Sequence, residues 1–249
     1  MNAIYILWLR QLKRYWRARS RIIGALANPL LFLIAFGFGF GPIFERAGGG
    51  DYINFLTPGI IAQSILFTSI FTGIEIIYDK QFGFLKEILV APVSRINIML
   101  GRTWGGATIA VVQGIIVLLL TFVVGFQLNT ILGILPAILI MALTATLFAA
   151  IGTTIASLMD DMQGFQLIMN FFILPTFFLS GALFPLDDFP TALKIVAAIN
   201  PLSYAVDALR YFLVGTTYFG INIDIMVLAI VTVIAVSTGA YFFRKIQIK

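Results

Sequence analysis

The sequence predicts an all-α polytopic membrane protein with six transmembrane helices, and three observations carry that expectation. The 249 residues are 60% hydrophobic and hold only 16 Lys or Arg and 11 Asp or Glu, against roughly a quarter charged in an ordinary globular chain; mean hydropathy is +1.02. Six apolar stretches reach the roughly 20 residues a helix needs to cross about 30 Å of hydrocarbon. They are continuously apolar rather than alternating over about ten residues, which selects helices over barrel strands. The whole chain, 1–249, reads as one transmembrane domain.

The first element, 1–21, is an amphipathic interface helix. Arg10, Lys13, Arg14, Arg17 and Arg21 recur on one face, and Trp8, Leu12, Tyr15 and Trp16 cover much of the other. Such a helix either lies on anionic lipid or contacts a soluble partner. It lacks the uninterrupted apolar core of a signal peptide, so the first span is expected to direct insertion. Spans one to five fill 22–184, at Ile22 to Phe44, Thr57 to Tyr78, Thr103 to Phe126, Ile131 to Leu158 and Phe165 to Phe184. Span six, Ile225 to Phe243, and a tail fill 221–249.

Sidedness follows from the cations. Arg10, Lys13, Arg14, Arg17, Arg19, Arg21, Lys80, Lys86, Arg95, Arg102, Arg244, Lys245 and Lys249 fall on one side of a six-span topology, 13 of the 16 in the chain. Arg46, Lys194 and Arg210 share the other side with Glu45, Asp51, Asp187, Asp188, Asp207 and Asp224. The positive-inside rule then puts both termini in the cytoplasm of a multi-pass cell (inner or plasma) membrane protein. The net charge of +5 is explained by this asymmetry, and no nucleic-acid partner is expected.

Several chemistries are excluded. With no His and no Cys, there is no imidazole acid/base catalysis, no thiol nucleophile and no His/Cys metal site. No catalytic residues are expected, and the chain is not read as an enzyme. The spans are almost free of the ionisable groups that ion-coupled carriers place at mid-membrane; Glu75 lies within about a turn of the end of its helix, as a boundary carboxylate does. No G-x-x-x-x-G-K-[ST] phosphate loop is present, so the chain binds no nucleotide cofactor, and any ATP is bound by another polypeptide.

The longest cytoplasmic loop, DKQFGFLKEILVAPVSRINIMLGR, contains a short helix from Phe84 to Ala91, started by Gly83 and stopped by Pro92. Leu85, Ile88 and Leu89 form its apolar ridge, with Lys86 and Glu87 polar; it rests on the membrane or fills a groove in another protein. On the outer side, 185–220 reads as a re-entrant helical hairpin. In NPLSYAVDALRYFLVG, Asn200 is an N-cap, Pro201 suits the first helical position and Gly215 ends the helix. Some 14 residues cover only about 21 Å, too short to cross. Leu202, Val206, Leu209 and Leu213 share one face, and Ser203, Asp207 and Arg210 another, Asp207 and Arg210 being spaced to pair. The hairpin either roofs a path or lies on the surface.

Polar residues recur at helical spacing within the spans. Ser64, Thr68, Thr72 and Glu75 form a stripe on span two; Gln163, Gln166 and Asn170 share a face of span five, beside Phe171, Phe172, Phe177 and Phe178. These either line a substrate path or join helices to one another. Thr146, Ala150, Thr153 and Ser157, and Gly101-x-x-x-Gly105, read as close-packing faces.

The run FFLSGALFPLDDFPTALKIVAAINPLSYAVDALRYFLVG, 177–215, resembles the C-terminal signature of type-2 ABC exporter permeases, the group of drug-efflux, lipo-oligosaccharide and polysaccharide export permeases. Asp79 to Arg95, with its Pro-Val-Ser-Arg, is similar to the first loop of that family, although Phe84 stands where Thr is frequent. The resemblance implies a membrane subunit that pairs with a second permease copy and with separate ATP-binding cassette subunits, which bind ATP and Mg. It makes the Phe84 to Ala91 helix the ATPase-coupling helix, carrying Phe84, Leu85, Lys86, Glu87, Ile88 and Leu89. It also places spans two and five at the dimer axis, so that Ser64, Thr68, Thr72, Gln166, Asn170 and Phe177 face the path of an amphiphilic substrate (drug, lipid or lipid-linked glycan). An ATP-independent channel or secondary carrier is the alternative.

Overall fold

The computed structural model describes residues 3–48, 50–90 and 92–245, with the side chains of Arg21, Lys86 and Leu89 outside that description. Among these residues the regular structure is entirely helical. The elements are α1 (Ala3–Arg17), α2 (Arg19–Arg46), α3 (Tyr52–Phe71), α4 (Ile74–Gln81), α5 (Phe84–Val90), α6 (Arg95–Val124), α7 (Ile134–Leu158), α8 (Met162–Phe178), α9 (Thr191–Ile199), α10 (Pro201–Val214) and α11 (Ile221–Arg244), with short 3-10 turns at Ile131–Gly133 and Leu186–Asp188.

By length and apolarity five stretches among the described residues can cross a membrane: Ile22–Arg46, Tyr52–Gln81, Arg95–Val124, Ile131–Leu158 and Ile221–Arg244; α9 with α10, bent by 87°, makes a sixth if counted as one. The helix expected over Phe165 to Phe184 is shorter and displaced. Asp161 caps α8 early, its carboxylate accepting from the N–H groups of Gln163 and Gly164; the helix ends at Phe178, and three residues on Gly181 turns the chain with a left-handed φ of 76° that a side chain resists. Its 17 residues rise about 26 Å. Even so, this segment runs beside the full length of α3 and α4. At one end Asp160 meets Lys80 at 3.1 Å, and at the other the Leu183 carbonyl accepts the Tyr52 hydroxyl at 2.9 Å.

α3 is the central post. Leu56, Ile60, Ile61, Ile65, Leu66 and Ile70 are fully buried because α2, α6, α7 and α10 pack around it. A helix apolar on every face is stable only when enclosed in this way or in lipid. The other long helices keep one face outward, and Ile23, Leu31, Ile34 and Phe38 of α2 and Ile230, Val233 and Ile234 of α11 are exposed apolar residues suited to hydrocarbon.

Glycines set the closest approaches. Gly101 and Gly105 of α6 receive α1: a Cβ on Gly101 would fall 2.9 Å from Leu7 Cβ, and one on Gly105 would fall 2.7 Å from Gln11 Cβ. The expected close-packing face is therefore present, with the N-terminal helix as its occupant. Gly73 and Gly152 press α4 and α7 together, and a Cβ on Gly152 would overlap the Ile70 carbonyl and lie 2.9 Å from Ile70 Cα. At this contact the predicted span two is interrupted. Gly73 N–H donates to Ile70 O and Ile76 N–H to Gly73 O, the i→i−3 pattern of a tightened turn. Gly152→Ala is expected to cost about 1–3 kcal/mol by forcing these backbones apart, whereas Gly39→Ala, where a Cβ meets nothing within 4 Å, should be neutral or slightly stabilising. Thermal unfolding of the two variants checks the contrast.

Candidate functional site

The cation-rich end of the bundle holds a buried ion network. The Asp79 carboxylate at the end of α4 accepts from Arg102 of α6 in a very short contact and from Arg10 Nη2 of α1 at 3.3 Å. Arg14 Nη1 lies 3.7 Å from both Glu75 Oε2 and Asp79 Oδ1. Glu75 is thus a paired boundary carboxylate. Lys80, the next residue along, turns to the opposite side: its Nζ donates to the carbonyls of Ser157 and Met159 at 2.7 and 2.8 Å and to Asp160 Oδ1 at 3.1 Å. Gln81 Nε2 adds a bond to Asp160 O at 2.9 Å. Two adjacent side chains therefore fasten the end of α4 to α1 and α6 on one flank and to the α7–α8 junction on the other. α1 is held further by Trp8 Nε1–H donating to Thr108 Oγ1 at 3.0 Å and Tyr15 O–H donating to Gln113 Oε1 at 2.7 Å.

From this anchored end α5 projects after Gly83, whose φ of 78° fits the residue without a Cβ. The ridge expected to lead outward is turned in: Leu85 is buried in the core and Ile88 packs against it. The outward surface is made by Phe84, Glu87 and Val90, the last 83% exposed, with Phe82 beside them and stacked on Tyr78 at 6.2 Å. The side chains of Lys86 and Leu89, and all of Ala91, lie outside the described residues.

The span-two stripe does line a cavity, of about 240 Å³, between α1, α2, α3, α4 and α6. Ser64, Thr68, Thr72 and Glu75 face Asn28 and Pro29 of α2, Tyr15 of α1 and Ile109 of α6, with Gln63, Phe67 and Phe71 completing the walls. The span-five residues are not there. Phe165, Met169, Ile173 and Phe177 point inward at four-residue spacing, Phe177 meeting Phe32 edge-on at 5.8 Å. This apolar stripe takes the inner face of α8, leaving Gln163, Gln166 and Asn170 exposed beside Phe171.

At the other end α10 is capped as its sequence indicates. Asn200 Oδ1 accepts from Leu202 N–H at 3.0 Å, Pro201 opens the helix and Gly215 closes it with φ of 94°. Both of its faces are buried, for every residue from Leu202 to Arg210 is inside, so it is not a surface amphipathic helix; α3, α7 and α11 enclose it. Asp207 and Arg210 form no ion pair with each other. Asp207 accepts from Thr217 Oγ1 at 2.9 Å and from the N–H groups of Tyr218 and Phe219 at 2.8 Å each, pinning the turn into α11. Arg210 Nη2 donates to Gly181 O at 2.9 Å, and its guanidinium lies 4.2 Å above the Phe55 ring. Three donors hold the carboxylate, and a carbonyl and an aromatic face hold the cation, so each is partnered without the other.

The ion network at Asp79 and the place of Gln63 in the cavity wall did not emerge from the sequence. Arg102 and Asp79 are opposite charges at the same end of consecutive spans, a signal that could have suggested the pair. Nothing in the sequence signals that α2 and α1, rather than span five, face the stripe.

The sequence is similar to two groups of named proteins. It is 28% identical over 230 residues to nodulation protein J of Rhizobium leguminosarum bv. viciae, covering 92% of this chain and 88% of that one. It is 30% identical over 213 residues to nodulation protein J of R. leguminosarum bv. trifolii, covering 85% and 78%. Against the "Putative transport permease ycf38" of Pyropia yezoensis it is 31% identical over 223 residues, covering 85% and 74%. Residues 2–214 match the family described as ABC-2 type transporter. The helical bundle, its apolar outer faces and this match together make the chain a multi-pass membrane protein of the ABC-2 type transporter family.

Proposed function

We propose that this chain is the permease subunit of an ATP-driven exporter. A separate cytoplasmic ATPase binds ATP and Mg, closes on them and pushes on α5, and the bundle alternates between inward- and outward-facing forms to move an amphiphilic substrate outward. The observation that carries the reading is α5 itself. It is a short helix presenting Phe84, Glu87 and Val90 outward, seated on the end of α4 that Asp79 and Lys80 tie to α1, α6, α7 and α8. An apolar tip on a firmly held base suits a helix that receives force from a soluble partner. Family membership supports an ATP-binding partner in general, and the charge asymmetry supports placing α5 and both termini in the cytoplasm.

A second permease copy fits the outer face of α8. Gln166 and Asn170 beside a Phe171 that is 83% exposed would meet hydrocarbon in a lone chain, and amides at such positions are stabilised by hydrogen bonds across a helix interface. The bent α9–α10 pair, on this reading, dips into the outer leaflet and closes the outer end of the path.

Phe84→Asp and Val90→Asp are the tests, made in the complex with the ATP-binding subunit. Each is expected to weaken capture of that subunit about tenfold or more, as loss of an interface anchor does, and to stop ATP-dependent export while the permease still purifies as a folded protein. Undiminished capture and export in both variants would overturn the coupling role. Transport by the purified chain alone in liposomes would instead favour an ATP-independent channel or carrier.

A further inference from the structure

Asp224, in the first turn of α11, is fully buried, and no N–H or O–H group donates to either of its carboxyl oxygens. An ionised carboxylate closed off from water and left without a donor is among the costliest states a side chain can occupy. The group that faces it is a second acid: Asp207 of α10, within hydrogen-bond reach. Asp207 is the better provided of the two. Its Oδ2 accepts from Thr217 Oγ1 and Phe219 N–H and its Oδ1 from Tyr218 N–H, and a carboxylate has about four acceptor positions. Room for a further donor therefore remains on Oδ1.

No cation among the described residues balances Asp224. The helices packed most closely on α11 are α6, α7 and α10. α7 has no ionisable side chain. α6 has Arg95 and Arg102, both near its start; Arg95 bonds the Arg244 carbonyl at the opposite end of α11, and Arg102 belongs to the Asp79 network. On α10, besides Asp207, stand Tyr204, whose hydroxyl donates to the Ala198 carbonyl, Arg210, held by the Gly181 carbonyl and the Phe55 ring, and Tyr211, which is exposed. A metal ion does not fit either. Both oxygens of Asp224 are closed to solvent, and the donors around Asp207 would repel a cation. A proton needs no cavity.

We infer that Asp207 and Asp224 form a proton-binding site, in which Asp224 is held as the carboxylic acid and its O–H donates to the Asp207 carboxylate, so that one shared proton ties the start of α11 to α10. Loss of that proton leaves two like charges in a closed space, and the 217–219 turn, which Asp207 organises, loosens. The folded chain keeps a proton that an unfolded aspartate, ionising at about pH 3.9, has already released. The contribution of the pair is therefore complete in acid and is lost as pH rises. On the sidedness that the charges favour, the site exchanges with the outer compartment.

The proton site does not depend on the coupling role of α5, and its test uses the full chain alone, in phosphatidylcholine nanodiscs. Infrared spectra in heavy water are expected to contain the C=O stretch of a protonated carboxyl at neutral pH. That band should vanish at alkaline pH, and its Asp224 component should be missing at every pH in Asp224→Asn and in Asp224→Leu. Hydrogen exchange at the Tyr218 and Phe219 amides, corrected for the intrinsic effect of pH, is expected to lose about tenfold of its protection as the band vanishes, the worth of about one hydrogen bond. In Asp224→Asn, whose side-chain amide donates to Asp207 at every pH, the protection should stay constant. Absence of the band from the parent at neutral pH would by itself overturn the inference, whatever the variants do. So would a band undiminished in both variants, or protection that falls with pH equally in the parent and in Asp224→Asn.

Discussion

Asp79→Ala is expected to be among the most damaging single substitutions in the chain. Arg102 is 4% exposed, its Nε and Nη1 have no partner, and its remaining contact is the Asp79 carboxylate. Removing that carboxylate leaves a buried guanidinium without its hydrogen-bonded counter-ion, which costs about 3–5 kcal/mol. At about 2–4 °C per kcal/mol for a chain of this size, thermal unfolding should fall by roughly 10 °C. The sign of the double variant is the sharper measurement. Asp79→Ala with Arg102→Leu removes both charges and should be more stable than Asp79→Ala alone, because an apolar replacement of a whole buried pair is often close to neutral. If the double variant loses the sum of the two single effects, the network is not the reason Asp79 matters. Arg10 and Arg14 are more than two-fifths exposed at their side chains, and their individual loss should matter far less.

Asp207→Ala should have the next largest effect, acting on a different part of the fold. Its carboxylate receives one hydroxyl and two backbone N–H groups from the 217–219 turn, and bonds to a charged acceptor are worth about 1.5–3 kcal/mol each. The turn is half open to solvent, so water recovers part of this, and a net loss of about 3 kcal/mol is expected. Hydrogen exchange at the Tyr218 and Phe219 amides should accelerate together, since both lose the same acceptor. The charge-swapped chain, Asp207→Arg with Arg210→Asp, should be no better than the single changes: neither position supplies what the other's surroundings require. Recovery in the swapped chain would show that the two side chains do act as a pair.

The contrast between these sites marks what a single sequence makes legible. The caps of α10 were readable because Asn200, Pro201 and Gly215 act on the backbone within a few residues of themselves. The polar stripe of α3 and α4 was readable because helical spacing puts Ser64, Thr68, Thr72 and Glu75 on one side, and the glycines of α6 because small residues at that spacing admit another helix. In each case the occupant of the facing wall was not readable. Periodicity describes one helix at a time, and it contains no information on whether α2 or α8 arrives opposite. The same limit explains Asp207 and Arg210. Their spacing of three suggested a pair, but the donors that claim Asp207 come from ten to twelve residues further on, brought there by a turn whose path is set by tertiary packing. Leu85 and Ile88 make the point in another way: an apolar ridge signals burial, and here the protein's own core buries Leu85 and takes Ile88 against it while the tip it presents is Phe84 and Val90.

The tightened backbone around Gly73 divides the long second crossing into unequal functional halves. Above it stand Gln63 and Ser64, with buried polar atoms that have no hydrogen-bond partner; below it stand the acids and the lysine that bolt the lower piece to its neighbours. If force is applied at the foot of this column, the interrupted turn beside Thr72, at the edge of the void, is where its two pieces are able to move separately.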